Sequence, residues 1–262
     1  MEIVDHQNTK IVATIGPASS SYENLLELAK AGVNIFRLNF SHGTHNDHEE
    51  VINHISYINE KYNLHIGILA DLQGPKIRIG LMKDGGVEIK EGDLIDFVNT
   101  KVEGTNKKVQ INYKDFAKDV NAGEKILVDD GKLVFEVVET NSKDKVKLKV
   151  LFGGVLSSRK GVNLPDTKLS LPSLTEKDRK DLEYILTKPV NWIALSFVRR
   201  AKDITDLIKL VEKAKHPAKV LAKIEKPEAV KNIDKIIKKS NGIMVARGDL
   251  GCLLYTSPSP RD

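Results

Sequence analysis

The chain has 262 residues, 41 of them Lys or Arg against 36 Asp or Glu, and a formal net charge of +5. Because no aromatic residues interleave with the lysine-rich stretch at 213–239, this charge favours small anionic ligands and argues against nucleic acid. A single cysteine, Cys252, excludes a disulfide framework, and with no apolar leader or span-length segment we expect a cytoplasmic protein that does not cross a membrane.

Three strand–helix units open the chain. We predict strands at 9–16, 33–40 and 65–71 and helices at 22–31 and 44–62, with glycine or N-cap residues between them. Strands that alternate with helices form parallel sheets, whose functional groups gather on the loops after the strands.

The pattern changes after Gly74-Pro75. Short alternating segments separated by glycine-rich turns predict strands at 87–90, 94–98, 125–128, 132–138 and 145–151. We interpret residues 75–169 as a small antiparallel β domain inserted after the third strand.

Strand–helix units resume near residue 170, where Thr175 and Asp178 are spaced as an N-cap and its acidic partner. We predict helices at 175–187, 201–214 and 227–240, and strands at 192–197, 220–225 and 243–246. The parallel strands then number six, two fewer than a (β/α)8 barrel contains. The prediction is therefore an α/β fold of TIM-barrel type, truncated, made of residues 1–74 and 170–251, with residues 252–262 as a tail outside the fold.

The fifth of these strands ends with the two residues that most strongly indicate a functional site. Lys223 and Glu225 alternate onto one face at its carboxyl end, and Pro227 then suits the first turn of a helix. A second carboxylate, Asp249, follows the next strand. Two carboxylates with a lysine between them can hold a divalent cation beside a phosphate or enolate, although a structural salt bridge is the commoner meaning of such a pair.

The other strand ends also carry polar groups. Arg37 suits bidentate phosphate binding, and the oxygens of Asn39 and Ser41 on the same face suit a hard cation. Each polar residue is individually open to a structural explanation: Asp71 could cap a turn, and Arg37 could bridge to a helix acid. The further polar residues at the strand ends are Asp71, Arg78, Ser196 and Arg199. No Walker A or G-x-G-x-x-G loop is present, and without a cysteine partner the histidines at 42, 45, 48 and 54 are better explained as polar helix positions than as zinc ligands.

Six motifs, in this order, together resemble the pyruvate kinase family over residues 9–251. They are Thr9-Lys-Ile-Val-Ala-Thr-Ile-Gly-Pro-Ala-Ser19, Arg37-Leu-Asn-Phe-Ser-His-Gly43, Asp71-Leu-Gln-Gly-Pro-Lys-Ile-Arg78, Lys160-Gly-Val-Asn-Leu-Pro165, Ala222-Lys-Ile-Glu-Lys-Pro227 and Met244-Val-Ala-Arg-Gly-Asp-Leu-Gly251. The resemblance implies transfer of a phosphoryl group from phosphoenolpyruvate to ADP in glycolysis, giving pyruvate and ATP, with the inserted β domain as a lid.

The resemblance also implies roles for individual residues. Lys223 and Arg37 are expected to act on the phosphoryl group, and the Gly248 and Asp249 amides to bind the substrate carboxylate. Glu225 and Asp249 are the expected ligands of Mg²⁺ or Mn²⁺. The expected nucleotide-binding residues are Asn39, Ser41, His42, Arg78 and Lys160.

A monovalent cation site is implied at Asn39, Ser41, Asp71 and Leu72. Potassium-dependent members of the family carry Thr and Glu where this chain has Leu72 and Lys76, so we expect the Lys76 ammonium to replace K⁺. The family continues with two further barrel strands and a regulatory domain, and a homotetramer is expected for the full-length parent. The alternative is a catalytically inactive fragment that retains at most nucleotide, phosphate and Mg²⁺ binding.

Overall fold

The computed structural model describes residues 8–253, which form two compact units. Within that range, the first unit comprises residues 8–75 and 173–245, and the second comprises 76–172 and 246–253. None of the helices in the described part of the chain is both long and apolar enough to cross a membrane.

The first unit begins with three strands and two helices: β1 (Ile11–Ile15), α1 (Tyr22–Lys30), β2 (Val33–Asn39), α2 (His45–Tyr62) and β3 (Gly67–Asp71). Helix α2 begins at a capping box, in which the Thr44 hydroxyl accepts from the Asp47 amide and the Asp47 carboxylate accepts from the Thr44 amide. It ends at Asn63, whose left-handed backbone (φ 51°) turns the chain back towards β3.

The second unit contains eight strands and one short helix before the chain returns. They are β4 (Gly86–Ile89), β5 (Leu94–Val98), β6 (Lys108–Gln110), α3 (Phe116–Asp119), β7 (Lys125–Val128), β8 (Leu133–Thr140), β9 (Lys145–Phe152), β10 (Gly154–Ser157) and β11 (Val162–Asn163). Six of them form one sheet in the order β11-β7-β8-β9-β5-β6 over a core of branched and aromatic side chains. The pairing departs from the predicted antiparallel arrangement between β5 and β6, which pair in parallel, and at the isolated parallel bridge between Met82 and Gly104.

The chain then adds α4 (Glu176–Ile185), β12 (Trp192–Leu195), α5 (Ala201–Lys213), β13 (Lys219–Ile224), α6 (Pro227–Lys231), α7 (Ile233–Ile237), β14 (Gly242–Val245) and α8 (Arg247–Leu253). The predicted cap of α4 is confirmed, since Thr175 and Asp178 form a capping box. The single helix predicted for 227–240 was wrong: it breaks at Asn232, whose side-chain amide donates to Arg199 O and Glu228 O and competes with helical hydrogen bonding.

Six strands of the first unit form a parallel sheet in the order β1-β2-β3-β12-β13-β14, as the alternation of strands and helices predicted. Because all six run in one direction, their carboxyl ends lie along one edge. The predicted strand at 192–197 ends two residues early, because Phe197 takes a left-handed conformation. The predicted tail begins at residue 252, whereas α8 continues through Leu253; residues 254–262 lie outside the described part.

Candidate functional site

The parallel sheet brings five predicted side chains together at the carboxyl edge of the first unit. Arg37 lies near the end of β2, Asp71 ends β3, and Ser196 follows β12. Lys223 lies near the end of β13, with Glu225 directly after that strand. Pairing of Asn39 with Asp71 and of Ala194 with Asp71 sets these neighbouring strand ends level with one another.

The Lys223 ammonium is the centre of this cluster. Its Nζ lies 3.0 Å from Glu225 Oε1 and 3.2 Å from Asp71 Oδ2, and it donates to Ser196 Oγ at 2.8 Å. Burial acts to lower the pKa of Lys223, but the Glu225 and Asp71 carboxylates outweigh it and the pKa is raised. The side chain therefore keeps its positive charge throughout the neutral range.

Asp71 joins this lysine to Arg37. The Asp71 side chain is 1% exposed, and its Oδ2 accepts from Arg37 Nε at 2.7 Å and Nη2 at 2.5 Å as well as from Lys223. The third guanidinium nitrogen of Arg37 donates to Thr14 Oγ1 at 2.7 Å. Both structural explanations offered for Asp71 and Arg37, a turn cap and a bridge to a helix acid, are thereby wrong, because each is the other's partner across adjacent strands.

A turn after β12 completes the cluster with a group that the sequence did not reveal. The Phe197 amide donates to Glu225 Oε2 at 2.6 Å, while Ser196 Oγ donates to Leu72 O at 2.7 Å. The φ angle of Phe197 is 54°, an uncommon conformation for an aromatic residue. The only hint in the sequence is the Gly74-Pro75 pair, because a side chain at Gly74 would collide with this turn.

The loop after β2 places the remaining first-unit candidates beside a cavity of about 560 Å³. Asn39 and His42 line it, together with the turn after β1 and the first two turns of α2, and no Lys or Arg of residues 8–253 lines it. The Asn39 side-chain oxygen accepts from the Ser41 amide at 3.0 Å, which fixes the loop. A cavity of this size is in the range of small-molecule sites, and its lack of cations suits the uncharged end of a ligand better than a phosphate.

Three of the four histidines considered for zinc, at positions 45, 48 and 54, are partly buried, whereas fully exposed polar helix positions were expected. His45 stacks on Tyr184 and bonds Asp181 Oδ1 at 2.8 Å. His48 stacks on Phe40 with ring centroids 4.1 Å apart, and its Nε2 lies 3.0 Å from His42 O. Because a carbonyl can only accept, that nitrogen carries a proton.

The second unit holds two of the predicted nucleotide-binding residues near each other. Arg78 pairs with Gly161 in an isolated antiparallel bridge, and its Nη1 donates to Arg159 O at 3.0 Å. Lys160 forms an ion pair of 2.9 Å with Asp129, and this lysine is the main reason why the pKa of Asp129 is lowered. Asp129 was not among the predicted residues.

The described residues offer few ligands for a divalent cation. Within residues 8–253 no group of three or more His, Cys, Asp or Glu side chains could hold a metal ion. Mg²⁺, however, is commonly bound through one or two carboxylates plus substrate phosphates, and Glu225 supplies a fixed carboxylate at a strand end. Gly248 and Asp249 lie in the first turn of α8, which groups with the second unit. Within the first unit, Glu225 therefore fits a metal ligand that substrate oxygens would complement.

The monovalent site fits less well. Asp71 already shares one oxygen with two cations, and the Leu72 carbonyl accepts from Ser196. These two cations already neutralise the Asp71 carboxylate, so a further cation beside it would introduce an excess of positive charge.

Comparison with known proteins gives one consistent answer. A family profile described as pyruvate kinase, barrel domain, matches residues 6–257, past the point where we expected family-like sequence to end. Pyruvate kinase 2 of Synechocystis is 46% identical over 97% of this chain and 44% of its own length. Pyruvate kinases of Geobacillus stearothermophilus and Corynebacterium glutamicum are each 44% identical over 94% of this chain, covering 42% and 51% of their lengths. The chain thus spans about half the length of these relatives.

Proposed function

Because this chain belongs to the pyruvate kinase family, we propose that it carries the phosphoryl-transfer site for phosphoenolpyruvate and ADP. The products are pyruvate and ATP, as in glycolysis. The six-stranded sheet is then most of a (β/α)8 barrel that the longer relatives complete, and the second unit is its lid. A cytoplasmic location and a homotetrameric full-length parent are part of the same proposal.

The observation that carries the proposal is the buried, charged Lys223 ammonium at the carboxyl edge of the sheet. In the reaction, a β-phosphate oxygen of ADP attacks phosphorus, the bond from phosphorus to the enol oxygen breaks, and the enolate left behind takes a proton at its methylene carbon to become pyruvate. Negative charge moves from the phosphoryl group to the enolate oxygen. A cation fixed by three partners stabilises this charge without having to reorganise.

Arg37 supplies the second cation. Its guanidinium is 22% exposed while its Nε and Nη2 hold Asp71, so the group is oriented and still reachable. We propose that it binds the phosphoryl oxygens. The Gly248 and Asp249 amides, in the first turn of α8, bind the substrate carboxylate.

For ADP we propose two sets of contacts. The loop after β2 contributes Asn39, Ser41 and His42 to nucleotide binding. The cavity beside this loop has no Lys or Arg among its described lining residues, so it suits the uncharged nucleoside. Arg78 and Lys160 of the second unit meet its phosphates, and Asp129 holds Lys160 until then.

Glu225 and Asp249 are the proposed holders of Mg²⁺ or Mn²⁺. When bound, this cation neutralises phosphate oxygens and polarises the enolate oxygen. We further propose that Asn39, Ser41, Asp71 and Leu72 need no K⁺, because Lys76 and the cations on Asp71 supply the charge.

Hydrogen exchange into pyruvate tests the chemistry without ADP. A site that stabilises the enolate exchanges the methyl protons of pyruvate for deuterium in D₂O with Mg²⁺, which NMR follows directly. We expect Lys223→Gln to slow exchange roughly 100-fold or more, whereas Lys231→Gln, on the exposed side of α6, leaves it unchanged. Equal exchange by wild type and Lys223→Gln would overturn the role of Lys223.

The inactive-fragment alternative is favoured by one observation, that the chain spans only 42 to 51% of its relatives. Calorimetry separates the two. Binding of ADP and Mg²⁺ with no exchange of pyruvate protons would establish the fragment as a binding module.

A further inference from the structure

We infer that Gly74 and the left-handed backbone of Phe197 are positioning elements, which orient Glu225 through the Phe197 amide. The inference rests on the metal role proposed for Glu225. What is new is that a main-chain amide and a glycine orient that carboxylate.

The Glu225 carboxylate has a donor on each of its two oxygens. The Phe197 N–H donates to Glu225 Oε2 at 2.6 Å, while Lys223 Nζ lies 3.0 Å from the other oxygen, Oε1. Two donors on opposite oxygens determine the plane of a carboxylate, and the Glu225 side chain is 1% exposed. A ligand held in this way meets a metal without losing rotational freedom.

The backbone conformation of Phe197 directs this amide at Glu225. Phe197 has φ 54°, in the region that an aromatic residue enters only when its surroundings impose it. Ser196, directly before it, is 2% exposed and donates to Leu72 O at 2.7 Å, which ties the turn to the end of β3.

Gly74 packs directly against this turn. Gly74 has φ +68°, and a Cβ built there would lie 2.9 Å from Phe197 Cδ2, 3.0 Å from Ser196 Cβ and 3.1 Å from Ser196 O. Two of those neighbours are the Cβ and the main-chain oxygen of the buried Ser196, which cannot yield as the end of a flexible side chain would. The Gly74 amide donates at 3.0 Å to Asp178, a fully buried carboxylate, which anchors the loop to the start of α4.

If Gly74 served only packing, replacing it would lower stability but leave the orientation of the Glu225 carboxylate unchanged. The distinguishing observable is therefore the Phe197 amide, whose proton resonance lies far downfield when it donates closely to a carboxylate. In protein labelled with ¹⁵N-phenylalanine, Glu225→Gln identifies this resonance, because loss of the charged acceptor moves it upfield.

We expect Gly74→Ala to move the Phe197 amide upfield in the same direction. The matched control is Gly43→Ala, since Gly43 has a similar φ of +74° but a Cβ there meets nothing closer than 3.5 Å. The control carries the same backbone strain and should leave the Phe197 amide unmoved. A folded Gly74→Ala protein whose Phe197 amide stays in place overturns the inference.

Mn²⁺ affinity, measured by electron paramagnetic resonance without substrates, supplies the second readout. We expect Gly74→Ala to weaken binding roughly ten- to a hundredfold, the usual effect of losing a group that orients a metal ligand. Adding Phe197→Gly should restore part of it, because the ring contact disappears and glycine accepts a positive φ freely. If wild type binds no Mn²⁺, the proposed metal site fails, and the amide shift still decides the positioning role.

If Gly74→Ala does not fold, the donor can be removed without adding an atom. Incorporating phenyllactic acid at position 197 replaces the N–H by an ester oxygen and keeps the ring. Weaker Mn²⁺ binding by the ester, with Phe197→Gly binding normally, supports the inference. The reverse result overturns it, since the ring would then be what matters.

Discussion

Replacing Asp71 with asparagine tests whether the cluster at the sheet edge is an integrated network. The carboxylate is 1% exposed and receives Arg37 through two nitrogens, at 2.7 and 2.5 Å, and Lys223 at 3.2 Å. Asparagine keeps the shape but removes the charge that both cations face. The expected result is a less stable first unit.

The stability that Asp71→Asn loses depends on which partners Lys223 and Arg37 keep. Breaking a buried ion pair costs about 3–5 kcal/mol, because the remaining charge stays desolvated. Lys223 keeps Glu225 and Ser196, Arg37 keeps Thr14, and the Arg37 side chain is 22% exposed. The loss should therefore lie at the low end, about 3 kcal/mol. With a slope of about 2 kcal/mol/M, the urea midpoint falls by about 1.5 M.

Trp192 makes the assay specific to the first unit. It is the only tryptophan and lies in β12, directly opposite Leu69 of β3. Its fluorescence during urea unfolding therefore reports on the sheet that carries Asp71.

The control is Glu27→Gln, which removes an exposed pair with Lys30 in α1 of the same unit. Such surface pairs contribute less than about 1 kcal/mol. If Asp71→Asn shifts the midpoint no more than Glu27→Gln does, the cluster is an ordinary surface network and the reasoning fails.

Two further predictions concern protons and potassium. Burial lowers the pKa of His48, and the smaller opposing effects of the His42 carbonyl, Asp47 and Asp181 do not restore it. The stability linked to His48 is therefore complete above about pH 6.5 and is lost as pH falls through the lower folded-state pKa. His48→Gln should flatten this fall in urea midpoints measured below pH 6.5, and an unchanged slope would contradict it. For potassium, we expect ADP–Mg²⁺ binding and any pyruvate exchange to be independent of K⁺, and Lys76→Glu to introduce dependence. Strong K⁺ activation of the unmodified chain would refute that expectation.

Local sequence predicted much of the architecture. Alternating strands and helices predicted the six parallel strands, and the spacing of Thr175 and Asp178 predicted the cap of α4. The two-residue spacing of Lys223 and Glu225 placed both on one face, and their 3.0 Å contact follows from it. These features depend on residues a few positions apart, so periodicity and capping chemistry are sufficient to find them.

Tertiary structure decided which groups became partners. Arg37, Asp71 and Lys223 meet only because β2, β3, β12 and β13 lie side by side in register. The break at Asn232 depends on a carbonyl of Arg199, and the aim of the Phe197 amide depends on a glycine far away in the chain. The sequence by itself determined which residue types stand at each strand end. Which of them touch was determined by strand order and close packing, because both couple residues that are distant along the chain.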